Sequence, residues 1–142
     1  MPIQLKSIFS LIFFTLIANS ALAEVKPADG DSKELTPTQL YIKIEPPFVV
    51  NVDDGETLRF LQVNTELQFS DALAQPIIEK HMPAIRHAMI MLLSGQPAKE
   101  IKTPKGKETL RMAALEKVQK VMTDNTERPV VEAIYFTGFI IQ

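Results

Sequence analysis

Between Leu40 and Phe69 apolar and polar residues alternate, the two-residue period of strands with one buried face. "LYIKI" opens the pattern, "EPP" interrupts it and "FVVNV" resumes it, so the prolines place this strand at a sheet edge or at a bulge. "DDGET" follows as a turn, with Asp54-Gly55 its hairpin signal. The clearest alternation comes next. Leu61, Val63, Thr65, Leu67 and Phe69 share one face, and the amide-rich set Gln62, Asn64, Glu66 and Gln68 shares the other. This predicts a half-buried antiparallel strand whose polar face meets water or a polar partner.

The period then lengthens to that of helices. Ser70 and Asp71 are candidate caps for a helix running to about His81, and Pro83 either kinks it or sits in the first turn of a new one. Ile85, Ala88, Met89, Leu92 and Leu93 recur at helical spacing until Gly95 and Pro97 stop the run. Thr103-Pro104 opens a second helix, with Leu110, Ala114, Leu115, Val118, Val121 and Met122 as its apolar stripe and "TDNTERP" as its end. The closing "AIYFTGFIIQ" is apolar on both sides. Tyr135, Thr137, Phe139 and Ile141 alternate with Ile134, Phe136, Gly138 and Ile140, which predicts a strand covered on both faces near the middle of a sheet. Strands and helices in separate runs give an α+β fold, an antiparallel sheet with two packed helices in the order ββ-αα-β.

Three segments precede or make up the domain. Residues 1–23 carry Lys6, an apolar run from Ile8 to Ala18 and then Ala21-Leu22-Ala23, the pattern of a signal peptide. The uninterrupted run is shorter than the ~20 residues of a membrane-spanning helix. The expectation is cleavage before Glu24, with a short retained anchor as the alternative, and export in either case. Residues 24–37, rich in Pro, Gly, Asp and Lys, read as a flexible tether, and residues 38–142 form the domain.

Composition narrows the function more than it names it. The formal charge of -2 becomes -3 once Lys6 leaves with the signal, and it offers no basic surface for nucleic acid. The absence of cysteine excludes disulfides, iron–sulfur clusters and thiolate zinc sites. No serine lies in a G-x-S-x-G context, and "TPKGKET" lacks the spacing of a phosphate-cradling loop. No residue set predicts catalysis or a cofactor. Two clusters carry other chemistry. "HMPAIRHAMIM" gathers His81, Met82, His87, Met89 and Met91, soft ligands suited to Cu(I) in an exported protein, although residues two apart diverge on a helix. The alternative places the methionines in the core. Lys99, Lys102, Lys105, Lys107 and Arg111 gather at the start of the second helix, as a solvated surface or as a docking patch for an acidic partner or lipid headgroups. Cations there oppose the helix dipole, which favours the docking reading.

Five stretches, "YIKIEPPFVVNV", "RFLQVNTELQ", "HMPAIRHAMIMLLSGQ", "TPKGKETLRMAALEKVQ" and "VEAIYFTGFIIQ", together resemble the flagellar basal body-associated protein FliL family, in order and over residues 38–142. The resemblance implies a non-enzymatic periplasmic domain with a stomatin-like (SPFH-like) fold. It also implies homo-oligomeric rings and association with the flagellar stator and other basal-body proteins at the inner membrane surface, in support of torque, swimming and swarming. Members typically carry a cytoplasmic tail and a transmembrane helix; the short N-terminal run of this chain departs from that. Lys105, Lys107, Arg111 and Arg86 are the candidate contacts with a partner or a second copy. The competing readings are a periplasmic metal-handling protein built on the His/Met cluster and a generic stomatin-like membrane scaffold.

Overall fold

The computed structural model describes residues 38–142, so the expected signal and tether lie outside the described residues. The chain runs β1 (Leu40–Asp53), β2 (Leu58–Phe69), α1 (Ala74–Lys80), α2 (Met82–Leu93), α3 (Ala98–Ile101), α4 (Pro104–Thr126) and β3 (Ala133–Ile141). The strands form one antiparallel sheet in the order β1-β2-β3, and the class is α+β as the sequence predicts. The alternating set on β2 packs inward: Leu61, Val63, Thr65, Leu67 and Phe69 are all buried. β1 contributes Ile44, Phe48, Val50 and Val52, with a bulge between Ile44 and Phe48 at the prolines. Ile85, Met89 and Leu93 of α2 and Leu110, Ala114, Val118 and Met122 of α4 complete the core.

The helical region is more divided than the periodicity indicates. His81 ends α1, and Pro83 lies in the first turn of α2, where its missing N–H costs nothing. Asp71 acts from outside the helix, accepting the Leu73 N–H at 2.9 Å, while Ser70 Oγ donates to Glu132 and ties the start of β2's exit to the approach of β3. The short α3 buries Ala98 and Ile101; four residues are too few to show a helical period. Thr103 caps α4 by accepting the Gly106 N–H at 2.9 Å, as its place before Pro104 predicts. α4 continues through "TDNT" and stops at Glu127, whose φ of 62° breaks the helix.

The expectation for the last strand is corrected on two counts. Among the described residues β3 pairs only with β2 and is an edge strand, not a middle one. Its two faces are also not those of a strict alternation. Asn64 pairs with Gly138 and Thr65 with Phe136, leaving Thr137 as an extra residue in a bulge. The bulge reverses the alternation. Ile134, Phe136, Phe139 and Ile141 therefore all turn toward the core, and Tyr135 and Ile140 turn to the outer face. Only Ile134 is fully buried.

Candidate partner-binding site

The start of α4 is held in place by a close approach. A Cβ at Gly106 would lie 1.9 Å from the Glu100 carbonyl oxygen, so the absence of a side chain lets the end of α3 touch the first turn of α4. Lys105 and Lys107 flank this contact on opposite sides. Beside Lys105 lies a groove of about 470 Å³ with an apolar floor of Leu92, Ile101, Leu110 and Ala113 and with Lys99 at its rim. Beside Lys107 lies a second groove, about 350 Å³, between α4 and β3, lined by Pro104, Glu108, Arg111, Tyr135, Phe136 and Phe139.

The five cations of this corner are not equivalent. Arg111 grips Glu108 with both ends of its fork, Nε to Oε2 at 2.8 Å and Nη2 to Oε1 at 2.5 Å, and its Nη1 donates to the Ile134 carbonyl at 3.2 Å. The hydrogen bonds from Arg111 hold the Glu108 carboxyl below the usual range, and Glu108 in turn raises Arg111. Lys102 lies 3.8 Å from Asp54, whose carboxyl is lowered chiefly by its hydrogen bond from Arg59 and further by the charge of Lys102. Lys99, Lys105 and Lys107 have no carboxylate partner within ion-pair distance among the described residues. Lys107 Nζ lies 5.1 Å from the Phe139 ring centroid, a cation–π contact that leaves its charge unneutralised.

A titration checks the Arg111–Glu108 pair. Because Glu108 has a lowered value when folded, the stability it lends is complete above the ordinary glutamate range and is lost as pH falls through the lowered value. In Arg111→Gln the Glu108 carboxyl, followed by carbon-detected NMR, should move up into the ordinary range. A Glu108 titration unchanged in that variant would contradict the pairing.

Arg86 does not join this corner. It lies on α2 by the β1 edge, donates to the Pro46 carbonyl at 2.7 Å and stacks 4.8 Å over the Phe48 ring, bracing the proline bulge. The His/Met cluster is also dispersed. Met89 is in the core and Met82 packs against it, while His87 and Met91, four residues apart, share an exposed face of α2 away from Met89. Among the described residues no three of His, Cys, Asp or Glu are grouped to hold a metal. We expect His81→Ala with His87→Ala to leave copper and zinc binding, measured by calorimetry, the same as in the parent; micromolar binding lost in the double variant would restore the metal reading.

One surface escaped the sequence reading. At one end of the outer face of the sheet the Tyr135 hydroxyl donates to Gln68 at 2.7 Å and the Tyr41 and Tyr135 rings lie 6.1 Å apart. At the other end Val49, Phe60 and Ile140, each more than half exposed, surround Gln62. Phe60 continues the "polar" register of β2, a signal hidden by the amides that follow it.

Comparison with known proteins supplies the family. Residues 41–142 match the family model described as "Flagellar basal body-associated protein FliL". The chain is 31% identical over 103 residues to "Flagellar protein FliL" of Aquifex aeolicus (strain VF5), covering 72% of this chain and 62% of that protein. It is 22% identical over 139 residues to "Flagellar protein FliL" of Escherichia coli (strain K12), covering 93% and 88%. "Flagellar protein FliL" of Shigella flexneri matches to the same extent. The chain thus spans less than two thirds of the Aquifex relative's length. From Tyr41 on, the family match takes in the three strands and four helices of the described residues, and the chain belongs to the flagellar basal body-associated protein FliL family.

Proposed function

We propose that this chain is a non-enzymatic component of the flagellar basal body that engages the motor stator and sustains torque. The observation that carries the reading is the family match across nearly the whole described domain. In this reading residues 1–23 direct export, residues 24–37 tether the domain, and residues 38–142 work on the periplasmic face of the inner membrane. The domain assembles with copies of itself as a ring on a stomatin-like fold, and the α+β architecture with one antiparallel sheet is compatible with that relation. No helix among the described residues is long and apolar enough to cross a membrane.

Lys105 and Lys107, which have no carboxylate partner among the described residues and each stand beside a groove, support contact with acidic residues of a partner. Lys105→Glu with Lys107→Glu should leave folding within ~0.5 kcal/mol of the parent, as surface changes usually do. Losing one such charge contact weakens association by ~1 kcal/mol, roughly fivefold. The reversed strain should therefore form smaller swarming halos, with filaments still assembled, and a fluorescent fusion should leave the flagellar bases. Normal swarming and localisation in the reversal variant would remove the basic corner from the account.

A further inference from the structure

The two edges of the sheet are treated differently. β1 is guarded by Pro46 and Pro47, by its bulge, by Arg86 on the Pro46 carbonyl, and by the 94–97 turn. In that turn the Gly95 N–H meets the Asn51 carbonyl, and the Gln96 carbonyl meets the Asp53 N–H, both at 3.0 Å. These are the devices that keep strands from adding to an edge. β3 carries no proline and no charge from Ala133 to Ile141. Among the described residues, the one hydrogen bond reaching its backbone from outside the sheet is that of Arg111 to Ile134. The 350 Å³ groove runs beside this open edge, floored by Phe136 and Phe139, whose tilted rings have centroids 5.9 Å apart, and Lys107 stands over it.

We propose that the free edge of β3 is a strand-addition site for an extended peptide segment that carries an apolar residue and, two positions away, an acidic one. An added strand alternates its side chains, so residues two apart point the same way about 7 Å from each other. On the helix side, one of these enters the groove over Phe136 and Phe139 and the next meets Lys107. The charge selects this occupant over a second copy. β3 contributes no acid from Ala133 to Ile141, so the β3 strand of a second copy brings no carboxylate of its own to Lys107. The proposal rests on reading the basic corner as a partner contact, and not on which machine supplies the partner.

The probe is a labelled Thr/Val peptide of about ten residues with Leu-Thr-Asp at its centre, titrated into the full-length chain. Two control peptides replace Asp by Lys or carry N-methyl groups on alternate amides. The Asp peptide should bind with amide shifts along Ala133–Ile141, the Lys peptide at least about fivefold more weakly, and the N-methylated peptide not at all. Lys107→Glu should reverse the preference between Asp and Lys. Equal binding of the N-methylated peptide would show groove contact without strand addition and overturn the proposal. So would no binding of any peptide, or self-association through β3 that excludes the peptide. A motor that runs normally without this chain would end the motor reading and leave the peptide result standing.

Discussion

A chain ending at Phe136 should fail to fold. The missing six residues remove the pairs Leu61–Ile141, Gln62–Ile140, Val63–Phe139 and Asn64–Gly138, which are half of the β2–β3 ladder. They also remove Phe139 and Ile141, which cover the inner face, while Ile140 is half exposed and matters less. Two half-buried side chains are worth ~1 kcal/mol each, and uncovering the edges of Leu61 and Val63 costs a similar amount again, so the loss is on the order of 4 kcal/mol before any hydrogen bond is counted. Domains of this size have ~5–15 kcal/mol in total. Loss of cooperative unfolding by circular dichroism is the expected readout; a truncated chain melting with the parent would show that β3 beyond the bulge is peripheral.

Gly106→Ala should be nearly as damaging, by a different route. Its methyl would lie 1.9 Å from the Glu100 carbonyl oxygen and 2.6 Å from the carbonyl carbon, both backbone atoms that cannot turn aside. Either α3 lifts off, uncovering Ala98 and Ile101, or α4 loses its Thr103 cap. Overpacking of this kind costs ~1–3 kcal/mol, and the rigid neighbour points to ~3, a fall of roughly 10–20 °C in Tm. Gly95→Ala is the control. Its Cβ meets open space and only the φ of 73° is unfavourable, so a loss nearer ~1 kcal/mol is expected. Equal melting temperatures for the two variants would contradict the close approach. The same approach sets where Lys105 and Lys107 stand, so Gly106→Ala should also weaken whatever the corner binds.

The elements governed by local chemistry could be read directly from the residues. The stripe from Leu61 to Phe69, the Thr103-Pro104 start and the stop at Gly95 each depend on neighbours within a few positions. β3 was misread because its bulge is set by pairing with β2, and a single extra residue exchanges the faces of every side chain beyond it. Gly138 beside Thr137 was the local hint, since glycine inside a strand often marks a bulge. Edge position was hidden for another reason. Phe136, Phe139 and Ile141 look like two-sided burial in a strict alternation, but they lie on one face after the bulge.

The candidate site was legible as a run of lysines and not as a geometry. That Arg111 is committed to Glu108 follows from their spacing of three on a helix, while its bond to Ile134 spans 23 positions and needs the fold. Arg86 shows the converse. It reads as another free cation, yet the β1 bulge claims it. The apolar end of the outer sheet face also needs the fold, because Val49, Phe60 and Ile140 come from three strands.

If this chain supports the motor by contact, its loss should show in the torque that the motor delivers under load. Single motors turning tethered beads would be followed in a deletion strain lacking any second copy of the family, and in that strain restored with the parent chain or with Lys105→Glu and Lys107→Glu. The deletion should show fewer torque steps and lower stall torque, with full recovery from the parent chain, partial recovery from the reversal, and near-normal speed at low load throughout. Stall torque and step number in the deletion equal to those of the parent would contradict support of the motor by contact.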